Sequence, residues 1–83
     1  MPDVRPEVVA VIRAMAKVDP GEVTDDTKLV EELGYDSLRM IELMVALETR
    51  LGLKAIDLEL AVTVSTVGDV ARLAEDQVRG AAA

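Results

Sequence analysis

From Asp36 to Gly52 the chain marks both ends of one helix and fills the middle with apolar residues. Asp36 has the side chain of an N-cap and Ser37 follows as the first helical residue. Arg50 falls in the last turn, and Gly52 supplies the residue after the helix end. Met40, Met44, Leu47 and Leu51 form one stripe, and Leu38, Ile41 and Val45 form a second beside it. So wide a stripe exceeds what one packing face needs. Either all of it is core or part of it stays exposed for a partner.

The other segments are helical too. Asp3 and Pro6 mark a start, with Val8, Val11, Ile12, Met15 and Val18 at helical spacing and Asp19-Pro20-Gly21 as the stop. Residues up to Asp36 read as a long loop, pinned by Val23, Leu29, Val30 and Leu33. Asp57 reads as the cap of a short turn, Leu58 to Ala61. Thr66 with Asp69 forms a capping box for a last helix, whose buried face is Val67, Val70, Ala71, Ala74 and Val78 and whose stop is Gly80. Ala81-Ala82-Ala83 is expected to fray. Neither strand signals nor repeats occur. The expected fold is all-α, a bundle of three main helices plus one short helix, forming a single domain over residues 1–83 with an ordered core at about 4–79.

A chain of 83 residues buries only about 60–65% of its unfolded surface. It has neither Cys nor His, so no disulfide can form, neither a structural zinc nor another metal is expected, and helix packing must suffice. The apolar 51% is aliphatic apart from one tyrosine, and its four methionines make an adaptable core.

The net charge is −7, of which the segment from Asp19 to Asp36 carries −6. Nucleic acid and anionic membranes would be repelled, whereas basic protein surfaces are complementary. No signal-peptide pattern and no apolar run of about 18 residues occurs, and the lack of cysteine accords with a reducing cytosol. The expected location is cytoplasmic.

A helix N-terminus presents unpaired N–H groups and the positive end of the macrodipole, which favours an attached anion. Ser37 is placed to carry one on its hydroxyl, although Asp36-Ser37 could equally be a helix cap and nothing more. Gly34-x-Asp36-Ser37-Leu38 resembles the phosphopantetheine attachment site of acyl carrier proteins. The resemblance extends in register from about Pro6 to Arg79. Glu22-Val23-Thr24 and Leu29 to Gly34 resemble that family's first loop. Ile41-Glu42-Leu43 and Ala46-Leu47-Glu48 resemble its second helix, and Ser65-Thr66-Val67 the start of its last one.

The resemblance implies that Ser37 receives 4′-phosphopantetheine from coenzyme A through a separate phosphopantetheinyl transferase. The arm's thiol would hold acyl groups as thioesters, supplying a thiol that the chain itself lacks. Further implied partners are an acyltransferase, a ketosynthase, or adenylating and loading enzymes, met by a monomer in transient complexes. Implied docking residues are Asp36, Leu38, Arg39, Ile41, Glu42, Val45 and Glu48. Met40, Met44, Leu47, Leu51, Val62, Val67 and Ala71 would line an acyl pocket. No catalytic residue is expected: a nucleophilic serine needs a base, there is no His, and Lys17, Lys28 and Lys54 are all distant from Ser37 in sequence.

Some features depart from the family. The second helix is usually markedly acidic, but here Arg39 and Arg50 balance Glu42 and Glu48. Leu58, Leu60 and Val62 make the short helix unusually apolar, and no proline follows Ile56. Gly34-Tyr35-Asp36-Ser37-Leu38 itself resembles free-standing carriers of type II polyketide synthases, and Met1 with short tails points the same way. The reading is a discrete carrier in polyketide or related specialised metabolism. The alternatives are an aminoacyl or peptidyl carrier of a nonribosomal peptide system, a housekeeping fatty-acid carrier, and a helical interaction module without an arm.

Overall fold

The computed structural model describes residues 3–19, 21–53, 56 and 58–82, with Leu58, Leu60, Ala81 and Ala82 described by backbone alone. Three long helices, α1 (Arg5–Met15), α3 (Ser37–Leu51) and α5 (Val67–Ala82), carry the fold. Two short ones, α2 (Leu29–Leu33) and α4 (Leu58–Ala61), lie in the connections. α1 packs against both α3 and α5, and α4 lies on α3. No strand occurs among the described residues, only an isolated bridge between Lys28 and Thr66. The fold is all-α.

The three long helices bury most of the stripe that their spacing predicts, with Met15, Leu51 and Val78 only partly buried. Val8 and Ile12 from α1, Leu43, Met44 and Leu47 from α3, and Val67, Val70 and Ala71 from α5 are fully buried together. Each fully buried aliphatic side chain of Val or Leu size contributes about 1.5–3 kcal/mol relative to exposure. This one aliphatic core sets the angle at which α3 leaves the bundle.

Three boundaries differ from the expectation. α1 ends at Met15, with Ala16 already extended, and Val18 is 53% exposed rather than part of the buried face. The cause is competition: the N–H groups of Lys17 and Val18 donate to the Leu33 carbonyl (3.0 and 3.3 Å) instead of continuing the helix. Second, the long loop contains α2, with Leu29 and Leu33 fully buried. Gly34 closes it at φ +76°, which costs glycine nothing sterically, and the N–H groups of Gly34 and Tyr35 both donate to the Leu29 carbonyl. Third, Gly80 does not stop α5, which continues through it to Ala82. The proposed cap Asp57 lies outside the described residues, as does Ala83.

The acidic segment before α2 is stitched to the start of α5. Leu29 N–H donates to the Ser65 carbonyl, Val67 N–H to the Thr27 carbonyl and Gly68 N–H to the Asp25 carbonyl, all at 2.9 Å. A Cβ on Gly68 would lie 3.0 Å from both Cβ and the carbonyl oxygen of Asp25, so a larger residue there would push the Asp25 backbone away.

The capping box forms in full. Asp69 N–H donates to Thr66 Oγ1 (3.2 Å), while Asp69 Oδ2 accepts from Thr66 N–H (3.2 Å) and Ser65 N–H (3.0 Å). These bonds, led by that from Ser65 N–H, hold the Asp69 carboxyl down at about 2. A carboxyl depressed on folding stabilises the fold above its unfolded value of 3.8 and loses that contribution as pH falls towards about 2. Thr66→Ala is expected to cost about 1 kcal/mol. Asp69→Asn should flatten the acid limb of stability between those pH values, read by denaturant titration at several pH values. An unchanged acid limb would show that Asp69 does not contribute.

Candidate functional site

Ser37 is the first residue of α3 and is exposed. Asp36 caps the helix from extended backbone (φ −126°, ψ −178°), its Oδ1 accepting from Arg39 N–H at 2.8 Å. The cap is therefore Asp36 and not Ser37. Among the described residues the Ser37 hydroxyl hydrogen-bonds no other side chain, so it is free to react.

The end of α1 fixes this platform. Tyr35 is buried, and its hydroxyl donates to the Ile12 carbonyl at 2.9 Å, one of the acceptors that the last turn of α1 leaves open. Burial pushes the Tyr35 phenol up to about 12, slightly opposed by the Arg39 guanidinium. Lys17 extends from just beyond α1 and places Nζ 3.0 Å from Asp36 Oδ2. The Asp36 carboxyl is held below its ordinary value first by the Arg39 N–H and then by the Lys17 ammonium. Arg39 completes the cluster, with its Nε buried and without a hydrogen-bond partner among the described residues.

Beside Ser37 lies an apolar cleft of about 470 Å³, lined by Val30, Met40, Ile41, Ala61, Val62 and Val64 together with Asp36 and Ser37. Leu38 is 68% exposed, and Ile41 and Val45 are exposed below it. The second stripe of α3 is thus an outward apolar face that begins at Ser37.

The residues named from sequence separate into groups. Asp36, Leu38, Ile41, Glu42 and Val45 are exposed around Ser37, and Arg39 is partly buried. Glu48 faces elsewhere: its Oε2 accepts from Ile56 N–H at 3.0 Å, committing the carboxylate to the segment after α3. Of the expected pocket residues, Met40 and Val62 line the Ser37 cleft, with Val62 at its rim and 85% exposed. Met44, Leu47, Val67 and Ala71 are fully buried in the closed core, and Leu51 is partly buried. Val62 therefore does not face those four across a common seam.

Lys17 is brought beside Asp36 despite its distance in sequence, but its ammonium is paired there and not arranged as a base for Ser37. Lys28 Nζ is 3.7 Å from Glu31, and Lys54 lies outside the described residues. Sequence reasoning missed the anchoring role of Tyr35 and the Lys17 contact. The one available signal was that the only aromatic residue, with a polar tip, directly precedes Asp36.

Comparison with known proteins agrees with this layout. A family model described as "Phosphopantetheine attachment site" matches residues 6–74. An acyl carrier protein of Wolinella succinogenes is 41% identical over 69 residues, covering 83% of this chain and 90% of that one. The acyl carrier protein of Thermotoga maritima is 35% identical over 72 residues, covering 87% and 88%. The solved structure of a candidate acyl carrier protein from Mycobacterium tuberculosis superposes with a TM-score of 0.76 at 32% identity, covering 88% of this chain and 96% of that one.

Fold and comparisons together define a non-catalytic carrier. The chain belongs to the acyl carrier protein family, whose phosphopantetheine-binding domain carries the prosthetic group covalently. The residues present fit that group: an exposed, uncommitted hydroxyl on the first turn of a long helix opens onto an apolar cleft. A carrier of this kind works with modifying and acyl-handling enzymes. Among the described residues no helix is long and apolar enough to cross a membrane.

Tyr35 offers a direct check, because it is the only tyrosine. A phenol raised on folding adds stability below its unfolded value of 10.0 and loses it as pH rises towards about 12. Tyrosinate absorbance of the folded protein should therefore titrate well above 10, and stability should fall across that window. A midpoint at the ordinary value would place the phenol in water.

Proposed function

We propose that Ser37 bears the 4′-phosphopantetheine arm and that the chain shuttles acyl intermediates among the enzymes of a polyketide or related specialised-metabolite assembly. The observation that carries this reading is the exposed Ser37 hydroxyl at the head of α3, continuous with the outward face of Leu38, Ile41 and Val45. When attached, the group supplies the thiol on which an acyl cargo is held as a thioester.

The residues of the chain divide the remaining work. Asp36 keeps the first turn closed, so Ser37 is presented on fixed backbone rather than a mobile loop. The positive end of α3 favours a phosphodiester attached there. Leu38, Ile41 and Val45 offer small apolar contacts, and Asp36 and Glu42 offer charge that steers basic partners. Such an interface is weak and fast, as a carrier that must leave every enzyme requires. The cleft beside Ser37, with Met40 and Val62, is where the start of a short apolar cargo could rest; the buried Met44, Leu47, Val67 and Ala71 would have to move apart for a longer one. The chain would act in the cytoplasm as a monomer in transient complexes with a phosphopantetheinyl transferase and loading or condensing enzymes.

Two features support specialised metabolism over housekeeping fatty-acid synthesis. The formal charges of α3 cancel, Arg39 and Arg50 against Glu42 and Glu48, so α3 is not the markedly acidic helix usual in the family. The Gly34-Tyr35-Asp36-Ser37-Leu38 motif resembles free-standing polyketide carriers. The relatives above, named only as acyl carrier proteins, accord equally with a fatty-acid role.

Intact mass after incubation with coenzyme A and a broad-specificity transferase is the test. The wild type should gain one phosphopantetheine mass. Ser37→Ala should gain none, while keeping its helical circular dichroism and melting temperature, because the cap belongs to Asp36. Modification of Ser37→Ala would overturn the attachment assignment. The modified wild type should then be accepted several-fold better by a type II polyketide ketosynthase than by a fatty-acid ketosynthase. The reverse preference would assign it to housekeeping synthesis.

A further inference from the structure

Each oxygen of the Asp36 carboxylate has its own partner. Oδ1 is turned to the backbone and caps α3 through Arg39 N–H. Oδ2 faces outward, beside Ser37, and is held by Lys17 Nζ at 3.0 Å. Lys17 is anchored for this contact at its own backbone, since its N–H donates to the Leu33 carbonyl at 3.0 Å. Its stem crosses Gly34 so closely that a Cβ there would lie 3.1 Å from Lys17 Cβ. The side chain therefore reaches Asp36 from a fixed base.

Any enzyme that acts on Ser37 approaches this corner. A bare carboxylate there would be a ready handle for a partner's lysine or arginine. Here the partner meets an ion pair instead, with Lys17 48% and Asp36 56% exposed. To use Oδ2, a partner's cation must share it with the Lys17 ammonium against that charge, or displace it. The cap bond through Oδ1 is unaffected either way, so helix geometry and partner access are controlled by different oxygens of one side chain.

We propose that Lys17 is a specificity-determining residue of this carrier, masking the outward oxygen of Asp36 and so weakening enzymes that grip that carboxylate with a cation. The inference rests on Ser37 being the modified residue. It acts on association and not on chemistry, because Lys17 pairs with Asp36 and not with the reacting hydroxyl. Exposed ion pairs of this kind are weak and screened by salt, so the expected effect is about two- to fivefold at low ionic strength.

The test compares full-length wild type, Lys17→Met and Lys17→Arg as substrates of a broad-specificity transferase with a basic carrier-binding surface. Lys17→Met keeps the stem that crosses Gly34 and removes only the charge. Its KM should fall about two- to fivefold with kcat unchanged, and the difference should shrink as salt is raised. Lys17→Arg should keep the wild-type KM, which a merely structural loss would not explain. Carboxyl NMR should show Asp36 titrating at higher pH in Lys17→Met than in the wild type. A KM equal to wild type, or a change in kcat alone, would overturn the inference while leaving the Ser37 assignment intact. Failure of the wild type to gain mass on Ser37 would overturn both.

Discussion

The platform under Ser37 depends on how the chain leaves α1. Helix formation there gives way to two N–H donations from Lys17 and Val18 to the Leu33 carbonyl, while the Tyr35 hydroxyl satisfies the Ile12 carbonyl. These bonds join two stretches up to 23 residues apart in sequence. They lie against buried Leu29 and Leu33, where an unpaired backbone group would cost about 1–3 kcal/mol. With this junction closed, Gly34 turns, Asp36 caps, and α3 starts at a defined residue. On the reading proposed for Ser37, that definition gives partner enzymes one fixed hydroxyl to find.

The same economy governs the surface. The inward stripe of α3 is consumed by the core, and its outward stripe, Leu38, Ile41 and Val45, remains exposed next to Ser37. Single exposed apolar residues are ordinary, but three on one face beginning at Ser37 form a small contact area suited to brief encounters. Charge around it is local and mixed. Asp36 and Glu42 stand beside Lys17 and Arg39, even though the whole chain carries −7. Overall charge can draw a basic partner near.

Much of this was legible in the sequence where the physics is local. The Asp36 cap, the Gly52 end of α3 and the Thr66–Asp69 box each depend on residues within a turn or two, and each appears as expected. The family resemblance rested on the same local signals. The end of α1 was not legible, because Val18 continues the apolar period and only the distant Leu33 carbonyl draws the chain away. α2 was hidden by its five-residue length, too short for periodicity to register. The contacts of Glu48 and Lys17 were not legible for a related reason: their partners, Ile56 N–H and Asp36, come from tertiary packing. Of the residues expected to line an acyl pocket, Val62 stands apart, on the exposed rim of the cleft and away from the closed core.

The central claim is that the junction between α1 and residues 33–36 holds the head of α3 in place. Amide hydrogen exchange of Tyr35→Phe against wild type tests it most directly, since the substitution removes one hydroxyl and keeps the ring. The account predicts faster exchange at Lys17, Val18 and Arg39 beyond any global loss of stability, with Val70 and Ala71 in α5 following the global change alone. Equal acceleration at all five amides would contradict it, showing that the Tyr35 bond stabilises the bundle as a whole without positioning Ser37.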